Sequence, residues 1–83
     1  MRIRVQLFAR ARDIVGTSSV LLELPEGATV GRLRQRLAEE QPALAALLER
    51  SAMAVNDEFA EDEAILPADA EVALLPPVSG GSR

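Results

Sequence analysis

No cysteine, histidine, lysine, tyrosine or tryptophan occurs in the 83 residues, and the only aromatics are Phe8 and Phe59. Without cysteine there is no disulfide framework, no thiolate nucleophile and no zinc-knuckle spacing. Without histidine the usual general base and the commonest metal ligand are both missing. Without lysine a Schiff base or a P-loop cation is excluded. An enzyme built from this chain would have to work with carboxylates, arginines and hydroxyls alone, a poor set for a self-contained catalyst. No apolar run approaches the roughly 18 residues of a membrane span, and no signal peptide is visible, so the expectation is a cytoplasmic protein that does not engage a membrane.

What is present fits one small domain with a core of Leu, Val and Ala. At this length a chain buries roughly 60% of the surface its unfolded form exposes, enough for a modest core. The net charge of −4 argues against a nucleic-acid partner, whose affinity rests on basic contacts to phosphates. The charge is uneven. Seven of the nine basic residues fall within the first 36 positions, whereas DEFAEDE (57–63) holds five acids in seven residues. Two readings of that stretch stand: a solvated acidic loop, or a docking surface for a basic partner.

Residues 2–8, RIRVQLF, alternate as a half-buried strand with Ile3, Val5 and Leu7 inward. Parity then sends Phe8 to the outer face with Arg4 and Gln6. The bland alternative is that the strand stops at Leu7 and Phe8 packs under the next loop. Ala11, Ile14 and Val15 mark one face of a short helical turn that Gly16 can stop. SVLLELPEG alternates again, with Val20, Leu22 and Leu24 inward, and ends in turn chemistry at Pro25–Gly27.

ATVGRLRQRLAEEQ is the clearest helix. Thr29 suits its N-cap, and Val30, Leu33 and Leu37 form the buried stripe, with Ala38 and the stem of Arg34 beside it. Pro42 stops it and opens a second short helix carrying Leu44, Leu47 and Leu48. AMAV (52–55) reads as a short strand, Asn56-Asp57 as a turn, residues 67–70 as another turn, and EVALL (71–75) as the last strand. In that strand Val72 and Leu74 point one way, Ala73 and Leu75 the other. The expected fold is α+β: a mixed sheet curled round one main helix, with a short second helix. The domain is expected to span residues 1–75, followed by an extended tail over 76–83.

That tail, PPVSGGSR, has no hydrophobic periodicity. Pro76 and Pro77 lack N–H donors and favour extended backbone. Gly80 and Gly81 are thin enough for a narrow channel. The bland reading is a frayed terminus.

RIRVQLFARARDIVGT, ELPEGATVGRLRQRLA, AVND and DAEVALLPPVSGG together resemble the MoaD/ThiS sulfur-carrier family, which includes the small subunit of molybdopterin synthase. The resemblance runs from Met1 to Gly81. It implies a β-grasp, ubiquitin-like fold, in agreement with the element order read from the residues. It also implies a mechanism. A partner adenylates the terminal glycine carboxylate with ATP, a sulfur donor converts the acyl-adenylate to a thiocarboxylate, and the large synthase subunit takes the tail into its active site. There, sulfur passes to a pterin precursor and builds the dithiolene that holds molybdenum. The carrier itself binds no cofactor and no metal, is a non-catalytic subunit, and works within a hetero-oligomer.

Transferred to this sequence, the resemblance makes Gly81 the reactive position and Gly80 its slim approach. Pro76, Pro77, Val78 and Ser79 match the inserted segment, and Phe8, Phe59 and Leu75 match an apolar docking surface. Parity had independently placed Phe8 and Leu75 on the outer face. Ser82 and Arg83 depart from the pattern, because a Gly81 bonded to Ser82 has no free carboxylate. Three readings stand: the pair is trimmed, it is a cloning remnant, or this copy docks without carrying sulfur. Rival functions implied by the same resemblance are carriage of sulfur for thiamine, cysteine, tRNA thiolation or a secondary metabolite, and a ubiquitin-like modifier or interaction module.

Overall fold

The alternation at the start of the chain becomes strand β1 (Arg2–Leu7) in the computed structural model, which describes residues 1–77. Ile3, Val5 and Leu7 are buried, and Arg2, Arg4 and Gln6 face out. Helix α1 (Ala9–Val15) follows, then β2 (Ser19–Glu23), helix α2 (Val30–Glu40), and a 3₁₀ turn (Pro42–Leu44) that runs into the short α3 (Ala45–Leu48). Strands β3 (Ala52–Val55), β4 (Glu58–Ala60) and β5 (Glu71–Leu75) complete the order.

The strands form one five-stranded mixed sheet in the order β2-β1-β5-β3-β4. The first and last strands lie side by side and parallel at its centre, with Leu7 level with Leu74; every other pairing is antiparallel. One face of the sheet packs on α2, whose Val30, Leu33 and Leu37 are fully buried among Ile3, Val5, Leu22, Met53, Val72 and Leu74. This is the expected α+β architecture, with the sheet wrapped on one main helix and a short second helix alongside.

One local reading is borne out and extended, and two need correction. The turn after β1 is a seven-residue helix, and Gly16 ends it in the left-handed region (φ 89), as expected of a glycine stop. Ile14 does not share a buried face with Ala11, because the short helix turns only Ala11 fully inward and leaves Val15 half-buried. The acidic stretch is not all loop either. Asn56 and Asp57 both take positive φ (50 and 71), the geometry of the tight turn whose twist suits a hairpin, and the chain returns as β4 against β3.

The rest of the acidic stretch caps α2. The first N–H groups of a helix have no partner within it. Here Val30 donates to the Ala64 carbonyl (2.9 Å), Gly31 to the Asp62 carbonyl (2.9 Å), and Arg32 to the Thr29 hydroxyl (3.1 Å). A Cβ on Gly31 would lie 3.3 Å from both the Cβ and the carbonyl oxygen of Asp62, so glycine lets the strap approach. Because the strap supplies two of the three acceptors, Thr29→Ala is expected to cost only about 1 kcal/mol. Thermal unfolding should show this as a fall of roughly 4–8 °C. An unchanged melting temperature would mean that the hydroxyl bond contributes nothing.

Arg34 does more than lay its stem on the core. Its guanidinium donates to the Leu48 carbonyl, to the Ser51 carbonyl (2.9 Å) and to the Asp62 carboxylate (3.0 Å). It thereby ties α2 to the end of α3, the start of β3 and the acidic strap. The ion pair is half open to water through Asp62, so its own worth is small. The two carbonyls lie in part-buried positions and would lose their donor, which costs about 1–3 kcal/mol. Arg34→Ala is therefore expected to destabilise by that amount and Asp62→Asn by less than about 1 kcal/mol, as read by urea unfolding. Equal losses would show the ion pair to dominate.

Candidate docking face and the root of the tail

The outer face of the sheet carries no helix. Its residues follow from the register: Arg2, Arg4 and Gln6 on β1, Leu21 and Glu23 on β2, Glu71, Ala73 and Leu75 on β5, Ala52 and Ala54 on β3, and Phe59 on β4. These side chains divide along the strands. Along most of β1 the face is polar, with an Arg2–Glu23 ion pair (3.2 Å) near the start of the strand and a Gln6–Glu71 hydrogen bond (3.2 Å) near its end. Only past Leu7 does it turn apolar.

The parallel pairing of β1 and β5 builds that apolar end. Leu7 and Leu74 are level and buried, so the next residue on each strand, Phe8 and Leu75, turns to the outer face side by side. Phe8 keeps extended backbone (φ −123, ψ 156) although it is already the cap of α1, and it remains 42% exposed. The strand thus ends at Leu7, as the bland reading had it, but the ring is not buried beneath the following loop. The next residue, Ala9, takes a left-handed φ of 52, a conformation that costs a non-glycine residue about 1–2 kcal/mol. This bend starts α1 directly after the extended Phe8.

Beyond Leu75 lie Ala52 and Ala54, whose small side chains leave the middle of the patch low. Phe59, opposite Ala54 on the edge strand, closes it and is 78% exposed. Strand spacing of about 4.8 Å puts Phe59 some 14 Å from Phe8, three strands away. A shallow hollow of about 350 Å³ lies beside Phe8, with Ala54 and Ala73 on one side of its lining and the polar Gln6, Asn56, Asp57 and Glu71 on the other. Two exposed aromatics with small alanines between them make this part of the face a candidate docking surface. Leu21 is exposed on the same face but sits in its polar half, beside Arg4.

The tail starts at this patch. Half-buried Leu75 ends β5, Pro76 is half-buried and Pro77 exposed. Neither proline can donate to a sheet ladder. Of the expected site residues, the structure places Phe8, Phe59 and Leu75 on the outer face, with Pro76 and Pro77 following directly after Leu75. Val78, Ser79, Gly80 and Gly81, like Ser82 and Arg83, lie outside the described residues. Three contributors that were not singled out, Ala52, Ala54 and Ala73, were legible only as parity, since alanine gives no signal of its own.

Among the described residues no group of three or more carboxylates is placed to hold a metal ion, and no helix is long and apolar enough to cross a membrane.

A five-stranded mixed sheet with parallel first and last strands, one long helix across it and a chain end leaving beside an apolar patch defines a ubiquitin-like, β-grasp protein. The ThiS family model matches residues 5–81, and the chain belongs to that family. It is 36% identical over 81 residues to the molybdopterin synthase sulfur carrier subunit of Arabidopsis thaliana, covering 98% of this chain and 84% of the relative. It is 34% identical over 83 residues to the protein of the same name from Chlamydomonas reinhardtii, covering 98% and 100%. Among solved structures it matches SAMP1, the small archaeal modifier protein 1 of Haloferax volcanii, with a TM-score of 0.86 at 29% identity, covering 98% of this chain and all of that one.

Proposed function

We propose that this protein is the sulfur carrier of a molybdopterin synthase. The observation that carries the proposal is the apolar patch of Phe8, Leu75 and Phe59 at the root of a Gly-Gly tail, in a chain whose relatives are named for that role. The chain contributes a carboxyl group and a docking face; the catalytic groups belong to partners. In a chain whose Gly81 carboxylate is free of Ser82 and Arg83, an adenylating enzyme joins that carboxylate to the α-phosphorus of ATP and releases pyrophosphate. A sulfide equivalent from a sulfur donor then attacks the acyl carbon, AMP leaves, and a thiocarboxylate remains. The large synthase subunit seats the patch, draws in Pro76 to Gly81, and delivers the sulfur to a pterin precursor.

This division of labour accounts for the missing side chains. Adenylation makes a backbone carboxyl electrophilic, and the exchanged sulfur is the nucleophile, so the carrier needs no histidine, cysteine or lysine. The chain holds no metal or cofactor of its own in this scheme, and we place it in the cytoplasm, a compartment that supplies its partners with ATP.

The test is reconstitution. A chain ending at Gly81 is incubated with ATP, the adenylating enzyme and the sulfur donor, and its intact mass should rise by the difference between sulfur and oxygen. Adding the large subunit and the pterin precursor should return the mass to its starting value as sulfur leaves. No mass gain, or a gain that the synthase cannot discharge, counts against the proposal.

The similarity to SAMP1 favours one second reading, attachment of the Gly81 carboxyl to lysines of other proteins. The absence of lysine here prevents lysine-linked chains of this protein on itself. Covalent adducts on target lysines without sulfur transfer would decide for it.

A further inference from the structure

We propose that β2 is a pairing edge, through which two copies of this chain join antiparallel, strand to strand, into one continuous sheet. The sheet has two free edges, β2 and β4. The hydrogen-bond phase of the β1–β2 pair decides what β2 presents. Leu24 donates to the Met1 carbonyl (2.8 Å) at one end of the pairing, and Leu7 donates to the Ser18 carbonyl (2.8 Å) at the other. In an antiparallel ladder bonded and non-bonded pairs alternate, so Ile3–Leu22 and Val5–Val20 are the bonded pairs between them. The N–H and C=O groups of Ser19, Leu21 and Glu23 therefore point away from β1, along an edge with no neighbouring strand. Among the described residues the Ser19 carbonyl alone has a partner there, a long bond (3.4 Å) from the Thr17 hydroxyl.

That edge has none of the devices that usually block strand addition. SVLLE contains no proline, pairs with β1 along its whole length without a bulge, and its one charge, Glu23, is already held by Arg2 (3.2 Å). Leu21, at its centre, is 54% exposed. The other edge is the contrast. β4 has only three residues, Glu58–Ala60, and Glu61, Asp62 and Glu63 follow, so a second copy there would bring like charges together.

The occupant is a second copy because the edge complements itself. A two-fold axis at Leu21 sets Leu21 against its own twin, and Ser19 against Glu23 of the partner copy. Every outward N–H then meets an outward C=O. The two Leu21 side chains touch on the outer face, half-buried Val20 stands opposite Leu22 on the helix side, and no like charges are opposed. The two Arg4 side chains stay three strand spacings apart, about 14 Å, beyond a Debye length. The docking patch is left free as well. The two β5 strands would stand five spacings apart, about 24 Å, and run in opposite directions, so the Phe8–Leu75 ends face opposite ways. A five-residue edge makes less than a standard interface, so the dimer is weak and reversible.

Sedimentation equilibrium of the purified chain, carried to about 1 mM, tests this. The mass should rise with concentration from 8.9 kDa toward twice that value. Amide exchange locates the contact. The Leu21 and Glu23 amides should exchange more slowly as concentration rises, whereas those of Val20 and Leu22, already bonded to β1, should change far less. Leu21→Glu sets two carboxylates face to face at the axis, and Leu21→Lys two ammonium groups. Each variant alone should stay monomeric with a melting temperature close to the parent's, and an equal mixture of the two should dimerise. A parent chain that is monomeric at the highest concentration overturns the inference. So does a dimer in which Leu21 and Glu23 exchange is unchanged, because the contact then lies on another surface, such as the Phe8–Leu75 patch. If a variant fails to fold, exchange in the parent chain still decides.

Discussion

A chain that ends at Gly80 is expected to keep its melting temperature and to lose sulfur transfer altogether. The comparison is with a chain ending at Gly81, so that both have a free carboxyl group. Removing one glycine moves that group back by about 3.5 Å along an extended chain. Misplacement by as little as about 1 Å can cost 100-fold in rate, and 3.5 Å takes the carboxyl beyond the groups that would adenylate it. Folding should be indifferent, since β5 ends at Leu75 and the core described above is drawn from residues up to Leu74. Single-turnover conversion of the pterin precursor and differential scanning calorimetry give the two readouts. Retained transfer would remove the tail from the mechanism.

The second large effect is expected at the docking patch. Fully covering an exposed phenylalanine or leucine is worth about 1.5–3 kcal/mol by area; Phe8 and Leu75 are already partly buried, so about 1–1.5 kcal/mol each, or roughly 10-fold in affinity, is expected. Phe8→Ala and Leu75→Ala should each weaken binding to the large subunit by that factor. The pair should show non-additive loss, because the two side chains are neighbours across β1 and β5. Phe59→Ala should act in the same direction. It should barely alter stability, since its side chain is almost wholly exposed. Isothermal titration set beside thermal unfolding separates the cases. Lower stability with unchanged binding would reassign Phe8 and Leu75 to the core.

The sequence exposed the parts of this molecule where periodicity and burial agree. Ile3, Val5 and Leu7 alternate cleanly, and Val30, Leu33 and Leu37 keep helical spacing, so strand, helix and buried face were legible together. Phe8 and Leu75 were legible because parity placed large apolar residues where a core could not use them. β4 was hidden, since three residues cannot show alternation and two of its neighbours are acids. The capping of α2 by the Asp62–Ala64 strap was equally hidden. It joins backbone groups about 30 residues apart and leaves only Gly31 as a trace. Arg34 was half legible: its helical position predicted a stem against the core, but its carbonyl acceptors come from later in the chain.

The central pairing of the first strand with the last also governs when the molecule becomes competent during synthesis. Chains fold from the N-terminus as they emerge, yet β1 has only β2 beside it until residues 71–75 have been made. The sheet therefore closes late, on a contact between opposite ends of the chain, which makes folding slow for so small a domain. Phe8 precedes its neighbour Leu75 by 67 residues (75 − 8), and Leu75 stands only six residues (81 − 75) before Gly81. A ribosome-bound or prematurely terminated chain thus offers its partners half a patch. On the carrier proposal the topology acts as a completeness check, since a chain must nearly possess the end proposed to react before it can present the surface proposed to deliver it.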